Sequence, residues 1–204
     1  MNKRIVLLAA CPLFLSACRT DGTADSSASS SSRERGLVAQ AETNAFVDGG
    51  LAKKNPRDIA VLAVQAPAGR RDLPVAKLRK AFAEGLVKLR YSPLSMEYVD
   101  EQTVEAGYTP GRFAEQAALQ VAISYWDDSQ WRSRGKIDVR AEVHMLDPTG
   151  PAGTSLWGGP FQATLTLRGA GYVNDAAMLS AACEQFAEQV LSHLPPRRPE
   201  VATP

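Results

Sequence analysis

Downstream of residue 57, the spacing of apolar and polar positions divides the chain into alternating strands and helices. Ile59, Ala60, Val61, Leu62, Ala63 and Val64 form an unbroken apolar run, the pattern of a central strand buried on both faces. Gln65 to Arg71, with Pro67 and Gly69, reads as a loop. Pro74 then marks a helix start, where its missing N–H costs nothing. Val75, Leu78, Phe82, Leu86 and Leu89 recur at three- and four-residue steps, which is the apolar stripe of a helix. Tyr91-Ser92-Pro93 ends it. Leu94 to Val99 is expected to be a second strand. Thr109-Pro110-Gly111 is expected to open a shorter helix that runs to about Ala118. Val121 to Trp126 reads as a third strand.

The clearest strand follows. Ile137, Val139, Ala141, Val143 and Met145 alternate with Lys136, Asp138, Arg140, Glu142 and His144, a strict period of two. Asp147-Pro148-Thr149-Gly150 is turn chemistry. Phe161, Ala163, Leu165 and Leu167 alternate with Gln162, Thr164, Thr166 and Arg168, giving the returning strand of a hairpin. Leu179, Cys183, Phe186, Val190 and Leu194 form a last helical stripe, stopped by Pro195-Pro196. The order is βαβαβββα. It predicts a single α/β domain over 57–194, a mixed β-sheet with helices packed on it, followed by a loose Pro-rich tail over 195–204.

Upstream the pattern changes. Lys3 and Arg4 precede an apolar run from Ile5 to Leu15, and small residues follow at Ser16 and Ala17. This is a secretory leader, and the run is shorter than the roughly 20 residues a membrane span needs. Leu15-Ser16-Ala17-Cys18 looks like the bacterial lipobox. Residues 1–17 are therefore expected to be removed, and Cys18 to become the lipid-bearing first residue. The lipobox implies a diacylglycerol thioether and an acylated amine, and two or more chains hold a protein stably on a membrane. Arg19, rather than Asp, follows the cysteine, which favours the outer membrane under enterobacteria-like sorting. Residues 18–56, with Ser-Ser-Ala-Ser-Ser-Ser-Ser at 26–32, read as a flexible tether. Its mean span would be about 30–35 Å. Leu37, Val38, Phe46 and Val47 suggest a short helix within 37–47.

Composition adds exclusions. The chain has 204 residues and a formal net charge of +1; loss of Lys3 and Arg4 brings the mature chain to about −1. That balance gives no basis for a nucleic-acid partner. Cys11 leaves with the leader and Cys18 carries lipid. Cys183 then has no intramolecular disulfide partner, and its helical stripe predicts a buried, inert thiol.

No motif of known catalytic chemistry is present: no HExxH, GxSxG, phosphate-binding loop or paired CxxC. No catalytic residue, metal site or cofactor is assigned. His144 and His193 read as surface residues rather than metal ligands. Asp127-Asp128 reads as a solvated turn, and Ser124 lacks a neighbouring base. Arg70, Arg71, Lys77, Lys80 and Lys88 gather around the first helix, where they read as a solvated face rather than an anionic-lipid site. Tyr125, Trp126, Trp131 and Arg132 are the candidate partner-contact residues, since exposed aromatics and arginine suit a binding hot spot. The alternative is that the tryptophans close the end of the core.

The order of elements also carries a resemblance. Ile59–Val64 leads to an amphipathic helix, and Leu119-Gln120-Val121-Ala122-Ile123-Ser124-Tyr125-Trp126 follows later. A long alternating strand ends in Met145-Leu146-Asp147, with a Gly-containing turn and then Leu156-Trp157-Gly158. Over about 57–194 this resembles the envelope lipoproteins related to the curli secretion channel subunit, the penicillin-binding-protein activator lipoproteins and the amino-terminal domain of TolB, together with a group of small lipoproteins. The chain departs from the pattern at Pro148, Pro151 and Gly153, which lengthen the turn, and at Gly158-Gly159-Pro160, which is expected to break the strand. The resemblance implies a non-enzymatic, periplasm-facing adaptor or assembly factor. Its expected partners are the membrane, through Cys18, an envelope protein, and further copies of itself. A secretion-pore subunit and a hydrolase with a dispersed site are the competing readings.

Overall fold

The computed structural model describes residues 46–103, 108–112, 114–151, 153–166 and 175–199. The leader, Cys18, the serine tract and residues 167–174 lie outside them. Along the chain run β1 (Val47–Asp48), α1 (Leu51–Lys54), β2 (Asp58–Val61), α2 (Val75–Lys88), β3 (Ser92–Pro93), α3 (Met96–Thr103), β4 (Ala117–Asp127), α4 (Trp131–Arg134), β5 (Lys136–Leu146), β6 (Ser155–Thr166) and α5 (Asp175–Leu191). The strands make one sheet in the order β1-β6-β5-β4-β2-β3. β2 runs parallel to β3 and β4, and the other pairs are antiparallel. This is the mixed α/β sheet read from the sequence. Without the short β1, α1 and α4, the order is the expected βαβαβββα.

The core lies between one sheet face and the pair α2 and α5. Ile59, Leu119, Ile137, Val143, Met145 and Leu165 reach it from the strands, and Leu78, Phe82, Leu86, Phe186 and Val190 from the helices; all are buried. Phe186 is the hub. Its ring meets Phe82 at 5.5 Å, Phe161 at 5.4 Å and Trp126 at 6.4 Å, each edge to face, the arrangement that aromatic quadrupoles favour. A smaller cluster of Ala60, Leu62, Val99 and Ala118 forms where α3 covers the opposite face beside β2.

Several expectations are corrected. The strand expected over 94–99 is shorter and earlier, at Ser92–Pro93, and a helix follows it. The Ser95 hydroxyl accepts the Tyr98 N–H at 3.3 Å, which is local capping chemistry, and only Val99 of α3 is buried. The helix expected over 109–118 is a turn. Gly111 and Ala114 sit at φ 79° and 56°, which breaks helical geometry. Ala117 and Ala118 are already in β4, fully buried. Gly158-Gly159-Pro160 does not break β6 but pairs with His144, Val143 and Glu142.

Both ends of the body are more tied down than the sequence implied. Residues 46–56, assigned to the tether, include β1, paired to β6, and a buried Leu51. Phe46 and Val47, expected in a helix, are instead a stacking ring and a strand residue. Phe46 stacks on Trp157 at 4.6 Å and on His193 at 4.8 Å. The tail is held as far as Arg198: Tyr91 donates to the Pro195 carbonyl at 2.7 Å, the Arg197 N–H donates to Leu89 O at 2.9 Å, and the Arg198 N–H donates to Asn55 Oδ1 at 3.0 Å.

Lys54 also pins this first segment to the β5–β6 hairpin through an ion pair with Asp147. Partial burial alone would raise the Asp147 pKa. Hydrogen bonds from Lys54 and from the Thr149 hydroxyl and N–H outweigh it and bring the pKa from 3.8 to about 2. Because the folded value is depressed, the pair's stabilisation is present above 3.8 and is lost as pH falls towards 2. Lys54→Met is therefore expected to melt below the parent at neutral pH and to converge with it in acid. A gap in melting temperature that stays constant to the acid limit would contradict this assignment.

Candidate functional site

β4, β5 and β6 alternate strictly, so one side of each enters the core and the other leaves it. On β5 the outward set is Lys136, Asp138, Arg140 and Glu142, all exposed, with half-exposed His144. On β6 the outward Gln162, Thr164 and Thr166 are exposed. Among the described residues, α3 covers this face only beside β2. The rest is an open, polar sheet face.

A register shift in β4 between Ile123 and Tyr125 focuses that face. One extra residue turns both Ser124 and Tyr125 outward. Tyr125 is 42% exposed. The Arg140 guanidinium lies 5.3 Å from its ring centroid, a cation–π distance. The Tyr125 hydroxyl donates to Asp127 at 3.2 Å, and the Ser124 hydroxyl donates to Arg140 O at 3.2 Å. The charge on Asp127 raises the Tyr125 pKa. Asp127 itself is held low, chiefly by the Ser129 N–H at 2.9 Å. Thr164 donates to Asp138. These groups can bind an aromatic, cationic or carboxylate-bearing surface.

The four sequence-chosen residues separate. Tyr125 is on the open face. Trp126 is 2% exposed and packs on Phe186, so it closes the core instead of offering a contact. Its buried indole N–H has no hydrogen-bond partner among the described residues. Trp131 is half-buried against the same core. Arg132 lies 5.6 Å from the Trp131 ring and pairs with Asp175 of α5 at 2.5 Å. Trp131 and Arg132 thus belong with α5 on the helix-covered side.

Three of the basic residues around α2 are engaged separately. Arg70 binds Asp72 and the Trp126 carbonyl, Lys77 reaches α5, and Lys80 lies 3.7 Å from Glu84. Arg79, which the sequence reading passed over, is 7% exposed. It donates to Val61 O at 2.8 Å and to Asp100 at 2.5 Å, joining α2, β2 and α3. Its position on the buried stripe beside Leu78 was the only signal.

Cys183 is buried. Burial pushes its thiol pKa up to about 12. Thiol reagents are expected to leave it unmodified in the folded protein and to label it quantitatively in denaturant. Labelling at equal rates in both states would contradict the packing. Among the described residues, no group of three His, Cys, Asp or Glu side chains is placed to hold a metal ion. Clefts are present among the described residues. One of about 480 Å³ lies between α2 and α5, and one of about 500 Å³ lies beside Leu62, Gln65, Thr103 and Gln120. No described helix is long and apolar enough to cross a membrane.

No protein-family model matches the sequence, and no curated protein matches it. Among solved structures, the chain is similar to a variant PelC dodecamer from Paraburkholderia phytofirmans, at 16% identity, over 76% of this chain and 99% of that one, with a TM-score of 0.50. It is also similar to the lipoprotein GNA1162 from Neisseria meningitidis, at 18% identity, over 68% and 99% of the chains, with a TM-score of 0.43. The likeness to PelC is one of fold.

Proposed function

We propose that this protein is a lipid-anchored, non-enzymatic adaptor or assembly factor of an envelope complex. It faces the periplasm, from the outer membrane, and works as a self-associating domain. The observation that carries this reading is the sequence Leu15-Ser16-Ala17-Cys18 at the end of a leader, followed by a serine-rich tract. A stable lipid anchor confines the domain to a surface, and confinement raises the effective concentration of any partner on the same membrane. The resemblance to the curli-subunit, activator-lipoprotein and TolB amino-terminal families supports the adaptor role. The fold shared with the variant PelC, a dodecamer, supports self-association.

The test is cross-linking in intact envelopes, followed by affinity capture from the membrane fraction. The expected result is a discrete complex larger than the monomer, lost when Cys18→Ala releases the protein from the membrane. A protein that stays monomeric in every condition would overturn the reading.

A further inference from the structure

The open sheet face carries a charge pattern that matches itself. Along β5 the outward residues alternate in sign: Lys136, Asp138, Arg140, Glu142. Turned end over end about the level of Val139, Lys136 falls on Glu142 and Asp138 falls on Arg140. The neighbouring strand obeys the same operation. Tyr125 lies level with Arg140, and Asp127 lies level with Asp138, so the rotation brings the Tyr125 hydroxyl over a carboxylate. At home the two cations of this set are poorly neutralised. Among the described residues, neither Lys136 nor Arg140 has a carboxylate within ion-pair distance.

We propose that a second copy of this chain docks on this face, β5 against β5 in antiparallel sense, about a two-fold axis at Val139. A two-fold axis makes every contact occur twice. Each Arg140 meets the Asp138 of the other copy, and each Lys136 meets the Glu142. Tyr125, the large exposed aromatic of this face, packs beside the axis as its anchor. The inference rests on the self-association proposed above and names the face that makes it.

The size of the face sets the strength. Three strands of about ten residues, at about 4.8 Å spacing and about 3.3 Å rise, present about 500 Å² per copy. A standard interface uses about 800 Å² per partner. The dimer is therefore one that separates on dilution in solution and is weakened by salt, because its ion pairs are not deeply buried. Confinement on a membrane offsets the small area.

The test is sedimentation of the full chain in detergent, at low and high salt, with charge reversals at the axis. The parent is expected to dimerise at low salt and to weaken as salt rises. Arg140→Glu and Asp138→Arg, each alone, set like charges opposite one another and are expected to weaken the dimer roughly tenfold or more. The double variant Asp138→Arg/Arg140→Glu restores opposite signs and is expected to recover it to within about threefold. Circular dichroism of each variant keeps folding separate from assembly. Association that survives either single reversal would refute this face while leaving self-association standing. A double variant as weak as the singles would also refute it. A parent that is monomeric at every concentration would refute both this interface and the self-association it rests on.

Discussion

Phe186→Ala is expected to lower stability by about 3–5 kcal/mol, the range for removing a buried aromatic ring. The side chain is fully buried and touches the rings of Phe82, Phe161 and Trp126. Those three come from α2, β6 and β4, so the cavity would open where both layers of the domain meet. None of these rings can swing into the space without leaving its own contacts, and a cavity that cannot collapse carries the higher cost. At about 2–4 °C per kcal/mol for a domain of this size, the melting temperature should fall by about 10 °C. Phe186→Leu keeps most of the volume and should cost clearly less. Thermal melts of both variants check the ordering. Equal losses for alanine and leucine would mean that the cavity contributes little and that the loss lies in the ring contacts.

Gly158→Ala is expected to cost about 3–4 kcal/mol, although only a methyl group is added. Two independent terms act together. Gly158 sits at φ 152°, where an L residue is strained by about 1–3 kcal/mol. An added Cβ would also lie 2.3 Å from the Val143 carbonyl oxygen and 2.8 Å from His144 Cα. Both are backbone atoms of the paired strand, so relief requires the β5–β6 ladder to move. Urea denaturation should show a lower midpoint with little change in slope. Gly153→Ala is the useful contrast. It also has a positive φ, of 86°, but nothing lies within 4 Å of its added Cβ, so it carries the strain without the clash and should lose less. Equal losses at the two positions would place the whole effect in the backbone angle.

The elements that were legible in the sequence are those whose burial is one-sided. β5 exposes every second residue, and α2 and α5 bury one stripe, so their periodicity follows directly from their surroundings. The start of β4 was misread for the opposite reason. Ala117, Ala118 and Leu119 are buried on both faces, which removes the alternation, and alanine then suggests a helix. α3 was missed because it is short and buries only Val99. The glycine pair in β6 was read as a break because glycine and proline punctuate strands. The close approach of the β5 backbone, which requires a residue without a side chain at 158, is a tertiary fact.

The contact surface was half legible. The Tyr125-Trp126 pair was visible as aromatic, but adjacent residues in a strand normally point to opposite faces. Which of the two faces outward depends on the shift in register after Ile123, and that depends on β5. The pairing of Arg140 with Tyr125 joins residues distant in sequence and could not be read from spacing. Arg79 was hidden because arginine is seldom buried.

Lipidation of Cys18 comes first, because the tether, the confinement and the envelope setting all follow from it. The direct measurement is mass spectrometry of the mature amino-terminal peptide from isolated membranes. The predicted result is a chain that begins at Cys18 and carries a thioether-linked diacylglycerol and an acylated amine. An unacylated chain that begins at any other residue would contradict it.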